Sequence, residues 1–163
     1  VKRITLTQGK TAAVDDADYD DLRRHRWHAS KCGDVWYARR GGHCAFMHRE
    51  IMERMLGRRL VPGELVDHAS RDSLDNRRTN LRLSTRSQNG QNATRPVGKS
   101  RFKGVCDGTH NRSRPWRAYI TVGGSQVQLG RFTSEEEAAR AYDRAALVHF
   151  GEFARPNLSE EMR

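Results

Sequence analysis

"VDHASRDSLDNRRTNLRLSTRSQNGQN", residues 66–92, opens with an acid and a histidine side by side, Asp67-His68. Asparagines follow at 76, 80, 89 and 92, and after Asp75 the stretch holds no carboxylate. Asparagine is a poor core residue and a poor helix former. Its density here points to loops and polar chemistry rather than packing. A turn at Pro62-Gly63 leads into a short strand ending at Asp67-His68, "SRDSLDNRRTN" is a loop, "LRL" a second strand and "STRSQNGQNA" a short helix. The order is β-loop-β-α, with the Asp-His pair closing the first strand and Asn89 on the helix.

Upstream, "RITLT" alternates, "TAAV" follows a Gly-Lys turn, and "DVWYARR" alternates through Val35, Tyr37 and Arg39, so each reads as a strand. Between them "DDADYDDLRRHRW" reads as a short helix, acids first and bases last, as the helix dipole prefers. "HREIMERMLG" predicts a helix with an apolar stripe of Ile51, Met52, Met55 and Leu56, stopping at Gly57. Downstream, residues 94–100 read as a basic linker. "RFKGV", "WRAYITV" and "QVQLGRF" then predict three strands, with Trp116, Ala118, Ile120, Val127 and Leu129 facing in. A long helix follows from Thr133, where Thr133 and Glu136 are spaced as a capping box, to Gly151, and residues 159–163 form a tail. Ala138, Ala141, Tyr142 and Ala145 mark the face laid on the sheet. The expected fold class is α+β: 1–93 for the first lobe, 94–100 for the linker, 101–158 for a sheet-and-helix unit.

Hydrophobic content is 36% and charged content 31%, which favours two or three small cores over one large one. The net charge is +10, and from Asn76 to Cys106 there are eight Lys/Arg and no acid. Such a block is the electrostatic footprint of a polyanion partner. The three cysteines, 32, 44 and 106, lack CxxC spacing, which argues against a disulfide framework and a zinc ribbon. Cys32, His43, Cys44 and His48 make a poor zinc set, since strand neighbours face opposite sides, and no structural zinc is expected. No apolar run approaches the ~20 residues of a membrane span and no signal-peptide pattern is present, so a cytoplasmic protein without membrane partners is expected.

Hydrolysing a phosphodiester requires a base for water and a divalent cation to stabilise charge on the phosphate and leaving oxygen. Histidine suits the base near pH 7. Mg²⁺ or Mn²⁺ prefers carboxylate and amide oxygens, with remaining positions left to phosphate and water. His68 is the candidate base, Asp67 and Asn89 are candidate oxygen donors for one ion, and the other asparagines are candidate holders.

Asp67-His68, Asn76, Asn80-Leu81 and Asn89 closely resemble the HNH endonuclease pattern of phage and intron homing endonucleases. Asn80 lies 13 residues after the acid and Asn89 lies 22 after it, as in the H-N-N variants. The resemblance implies a ββα-metal fold, His68 as general base, Asp67 and Asn89 as metal ligands, and Asn80 as the residue that fixes the loop and orients the histidine. Asn76 matches a polar loop position of unassigned role, Asn92 is a candidate phosphate contact, and "HREI" at His48 resembles the helix preceding the motif, with His48 expected to be structural. "LTQGK…VDD…W…YA" resembles the opening of the same enzymes. Lys31, Arg39 and Arg40 there, with Arg77, Arg78, Arg82 and Arg86 near the motif, are candidate phosphate contacts.

"FKGV…WRAYITV…QVQLGRFTSEEEAARAYDRAAL…FGEFARPN" resembles the ethylene-response-factor (APETALA-type) DNA-binding domain, whose three-stranded sheet lies in the major groove. The outward positions are Lys103, Cys106, Arg117, Tyr119, Thr121, Gln126 and Gln128. Cys106, Tyr119, Thr121 and Gln128 depart from the plant pattern of Arg, Glu, Arg and Trp, so the plant target does not carry over. Glutamine reads adenine and arginine reads guanine by paired hydrogen bonds. The expectation is a homing-type, metal-dependent endonuclease that nicks double-stranded DNA as a monomer. The alternatives are a non-catalytic DNA-binding regulator and a non-specific nuclease.

Overall fold

The computed structural model describes residues 1–41, 45–92, 99–108 and 113–158. Residues 94–98 of the linker expected over 94–100, the tail over 159–163 and the His43-Cys44 pair lie outside the described residues. The chain divides into two compact units, Val1–Asn89 and Gly90–Arg163, and the fold is α+β.

In the first unit β1 (Lys2–Thr5) and β2 (Thr11–Val14) form an antiparallel hairpin, and α1 (Asp16–Leu22) follows. The helix is shorter than the sequence predicts and its last turn holds no basic residue. The indole N–H of Trp27 donates to the Leu22 carbonyl at 2.8 Å, satisfying an orphan helix-end acceptor and leaving the Arg/His run outside. A second sheet joins β3 (His28–Cys32), β4 (Val35–Arg40) and β5 (Ala45–Phe46); only β4 is expected from sequence.

Helix α2 (Met47–Leu56) ends at Gly57, whose φ of 65° is the left-handed stop that a glycine adopts without strain. Its buried residues are Met47, His48, Ile51 and Met52, while Met55 and Leu56 are exposed. The buried stripe therefore lies one turn earlier than the sequence suggests, because the last turn runs beyond the core. That core gathers Ile4, Leu6, Val14, Leu22, Trp27, Met47, Ile51 and Leu81. β6 (Leu65–His68) pairs with β7 (Leu81–Ser84), and α3 (Arg86–Asn92) follows, giving the expected β-loop-β-α order.

In the second unit β8 (Val105–Asp107), β9 (Trp116–Val122) and β10 (Ser125–Phe132) form one antiparallel sheet with β9 central. The strand expected at Arg101 starts at Val105 instead. Gly104 precedes it at φ 72°, and a Cβ there would come within 2.1 Å of the Tyr142 ring and 2.6 Å of the Tyr119 carbonyl. Val127 is 44% exposed rather than buried, at the turn end of edge strand β10, and the register shifts between Gln128 and Gly130. Helix α4 (Glu135–Phe150) packs on β9 and buries Ala138, Ala139, Ala141, Tyr142 and Ala146, the four alanines letting helix and sheet approach closely. Its capping box is Ser134 with Glu137, one residue later than the Thr133–Glu136 reading, because Ser134 is the last extended residue before the helix.

Candidate nuclease site

The site is built on the β6–β7 hairpin and the loop between its strands. Cross-strand register sets Asp67 opposite Arg82 and His68 opposite Leu81. The loop is tied down along its length. β2 takes it as a short parallel bridge: Ala13 N–H donates to the Leu74 carbonyl and Asn76 N–H to the Ala13 carbonyl, both at 2.8 Å. The Ser73 hydroxyl donates to the Trp36 carbonyl of β4. Arg78 donates from its backbone to Asp15 at 2.7 Å, and its guanidinium grips the buried Asp18 at 2.8 and 2.9 Å. The N-terminal strands thus position the loop that carries the chemistry.

Asn80 closes this loop from inside. Its Oδ1 accepts from Ser70 N–H at 2.8 Å and its Nδ2 donates to the Asp75 carbonyl at 2.7 Å. That is a loop-fixing position. The ring of His68, however, meets Asn76, with Nε2 to Oδ1 at 3.3 Å. The Nδ2 of Asn76 donates to the Leu74 carbonyl, which turns its oxygen to the histidine. An amide oxygen only accepts, so Nε2 carries the proton and Nδ1 is the basic nitrogen of the neutral ring. Asn76, fully buried, is the residue whose role sequence reading leaves open.

His68 is 6% exposed, and burial lowers its pKa; Asn76, Asp67, Asp72 and Asp75 oppose that shift without overcoming it. The ring is therefore unprotonated at neutral pH, as a base requires. Rings from α2 and β4 stand against it, and a third from β5 packs behind them. His48 lies edge-on at a centroid distance of 5.1 Å, Tyr37 lies at 6.4 Å, and Phe46 stacks on His48 at 5.4 Å. Burial, then His68, then Arg49 push His48 down to about 3, so it too is neutral. Burial foremost, with Cys32 and Asp67, raises the Tyr37 phenol. Sequence reading expects only structure of His48 and misses Tyr37 and Phe46, since contacts between separate elements leave no local spacing signal.

Asp67 is 5% exposed, and its Oδ2 accepts from Nε and Nη2 of Arg82 at 2.8 and 2.7 Å. Asn89 is exposed on α3, its backbone N–H bonded to the Thr85 carbonyl. Thr85 and Gln88 bond reciprocally at the helix start, a capping-box arrangement. Carboxylate and amide oxygens are the donor types a hard divalent ion takes, and at Asp67 such an ion would meet the Arg82 guanidinium already paired there. Among the described residues no group of three His, Cys, Asp or Glu could hold a metal.

The arginines expected on phosphate are distributed unevenly. Arg77 pairs with Asp75, Arg78 with Asp18 and Arg82 with Asp67, whereas Arg86 is exposed and Arg39 lies over the Phe46 ring. Arg40 pairs with Glu50, and Asn92 is 6% exposed. In the second unit the outward residues fall into cross-strand rows: Thr121 opposite Gln126, Tyr119 opposite Gln128, and Arg117 opposite Arg131. Arg131, missed in the sequence, reaches this face because the shift at Gln128–Gly130 resets the alternation of β10. Lys103 is half-buried, and burial, then the nearby Arg155, lower its pKa. Its backbone is clasped by Asn157, whose N–H and that of Leu158 are held by the buried Asp143. Lys103 therefore stands at a structural clasp rather than on the open sheet face.

Residues 45–91 match a family model described as HNH endonuclease. The chain is 32% identical over 111 residues to an uncharacterised HNH endonuclease of Acanthamoeba polyphaga mimivirus, covering 68% of this chain and 56% of that protein. It is 31% identical over 115 residues to an ethylene-responsive transcription factor of Arabidopsis thaliana, covering 63% and 67%. Over 62 residues it is 42% identical to a dehydration-responsive element-binding protein of the same plant, covering 35% of this chain and 18% of that one. The chain thus spans about half the mimivirus relative and under a fifth of the last. No helix among the described residues is long and apolar enough to cross a membrane.

Proposed function

We infer, for a chain whose residues 45–91 match an HNH endonuclease model and which carries a segment similar to AP2/ERF DNA-binding domains, a site-specific, divalent-metal-dependent endonuclease of the homing type acting on double-stranded DNA. The observation that carries this reading is the buried, neutral His68 beside a buried Asp67 on one β-hairpin, with Asn76 directing its tautomer.

Nδ1 of His68 takes the proton from the attacking water while Asn76 holds Nε2–H. Asp67 and Asn89 would hold one Mg²⁺ or Mn²⁺, which would supply charge stabilisation for the scissile phosphate and leaving oxygen. Asn80 keeps the loop shut behind His68. Arg86, Arg77 and Arg39 approach the strand backbone, and this part of the affinity falls with salt. One hydrolytic centre per chain favours a nick by a monomer. In the second unit Arg117, Tyr119, Thr121, Gln126 and Gln128 meet the major groove, with Lys103 supporting the sheet from its clasp.

Incubation of supercoiled plasmid carrying the cognate site with protein and Mg²⁺ or Mn²⁺ is expected to give nicked circles cut at discrete positions. Persistence of supercoiled DNA sinks the enzyme reading, and cuts without a positional pattern sink its site-specificity. The second reading, a non-catalytic DNA-binding regulator, draws on the ion pair that Arg82 makes with Asp67. DNA binding with no cleavage in either metal favours it.

A further inference from the structure

His68 meets Asn76 through one nitrogen and a group of rings through its plane. A hydrogen bond fixes where a ring nitrogen sits, and ring packing sets the plane about that contact. The plane of His48 lies at 77° to that of His68, a T-shaped contact at 5.1 Å. His48 is braced in turn: Phe46 stacks on it at 25° between planes, and Tyr37 lies 5.7 Å away. As packing alone, a histidine here is a poor choice. It is 8% exposed, and its Nδ1 has no hydrogen-bond partner among the described residues. The neighbouring buried positions of α2 are Met47, Ile51 and Met52, which orphan nothing. A buried polar atom left unpaired costs stability, so an apolar ring at this position is expected to stabilise the fold while keeping the bracing plane.

We propose that His48 is a positioning residue for the base: its ring, braced by Phe46 and Tyr37, sets the plane in which His68 takes up the proton. The proposal rests on the reading of His68 as the base. A few tenths of an ångström or a modest rotation of a general base lowers the rate without touching substrate affinity, so the effect belongs in turnover rather than binding.

The test separates a flat ring from mere bulk. His48→Phe keeps a ring, and His48→Leu keeps bulk without one, with His48→Met as a second ring-free variant should the leucine protein fail to fold. The single-turnover nicking rate on supercoiled plasmid in Mn²⁺ is expected to fall tenfold or more in the ring-free variant and to stay within threefold in His48→Phe. Plasmid affinity stays unchanged in both, and both melt at or above the wild-type temperature. A ring-free variant that nicks at the wild-type rate overturns the proposal. So does a phenylalanine variant as slow as the leucine one, which would assign the effect to the nitrogen. The ¹H–¹⁵N imidazole resonances of His68 read the same question without cleavage: they stay in place in His48→Phe and move in His48→Leu, and unmoved resonances in His48→Leu overturn bracing. A wild-type protein that nicks no DNA fails the nuclease reading separately, while the His68 spectra still decide the bracing.

Discussion

Asp67 and Arg82 face each other across the β6–β7 hairpin, and the carboxylate oxygen Oδ2 accepts from the guanidinium Nε and Nη2 at 2.8 and 2.7 Å. Both side chains are largely withdrawn from water, at 6% and 14% exposure. The fold therefore carries its own counter-ion for the carboxylate that is proposed to hold the metal. Removing one partner of a buried pair costs about 3–5 kcal/mol, because the other charge is left uncompensated. Arg82→Gln is expected to lower the metal-free melting temperature and to gain more stability from added Mn²⁺ than the wild type does. Thermal melts with and without Mn²⁺ check this. Equal metal-free melting of the two proteins would mean that the pair carries no such weight.

Asn80 spans its loop with two hydrogen bonds to backbone groups. Asn80→Ala orphans the Ser70 N–H and the Asp75 carbonyl together, at about 1–3 kcal/mol for each group. Urea unfolding should show that loss, and nicking should fall with it. Asn76→Ala leaves both loop bonds in place and removes the His68 contact, so a larger effect on rate than on the urea midpoint is expected.

The neutral His48 makes stability depend on pH with a definite sign. Its folded pKa, about 3, lies below the unfolded value of 6.5. Below pH 6.5 the unfolded chain binds a proton that the folded chain refuses. The stability is thus complete above pH 6.5 and is lost as the pH falls toward 3, at up to about 1.4 kcal/mol per pH unit. His48→Phe should flatten that part of the urea-midpoint profile. A profile identical to the wild type would contradict the assignment.

In the second unit Gly104 combines a φ of 72° with space too tight for a Cβ beside Tyr142. Gly104→Ala is expected to cost about 3 kcal/mol or more through overpacking and strain. Loss of near-ultraviolet dichroism and weaker binding to duplex DNA would report it, and an unchanged melt would refute the packing argument.

The hairpin-and-helix core of the site was legible in sequence because its signals are local: Pro62-Gly63, the alternation of "LRL", and the spaced asparagines. The charge reading was less complete. The carboxylate-free run from Asn76 to Cys106 reads as open positive surface, yet Arg78 and Arg82 find acids 60 and 15 residues away. A linear count of charges does not see partners supplied by other elements. The cap of α4 shows a one-residue ambiguity, since Thr133–Glu136 and Ser134–Glu137 share a spacing and only the helix start separates them. The rings around His68 come from β4, β5 and α2, and their meeting is a property of the fold alone.

The role of His68 as the base is decided by the single-turnover nicking rate of His68→Ala on supercoiled plasmid, with folding matched by circular dichroism. A loss of about 10²–10⁴-fold in rate at unchanged DNA affinity is expected; nicking at the wild-type rate by a folded His68→Ala protein would contradict that role.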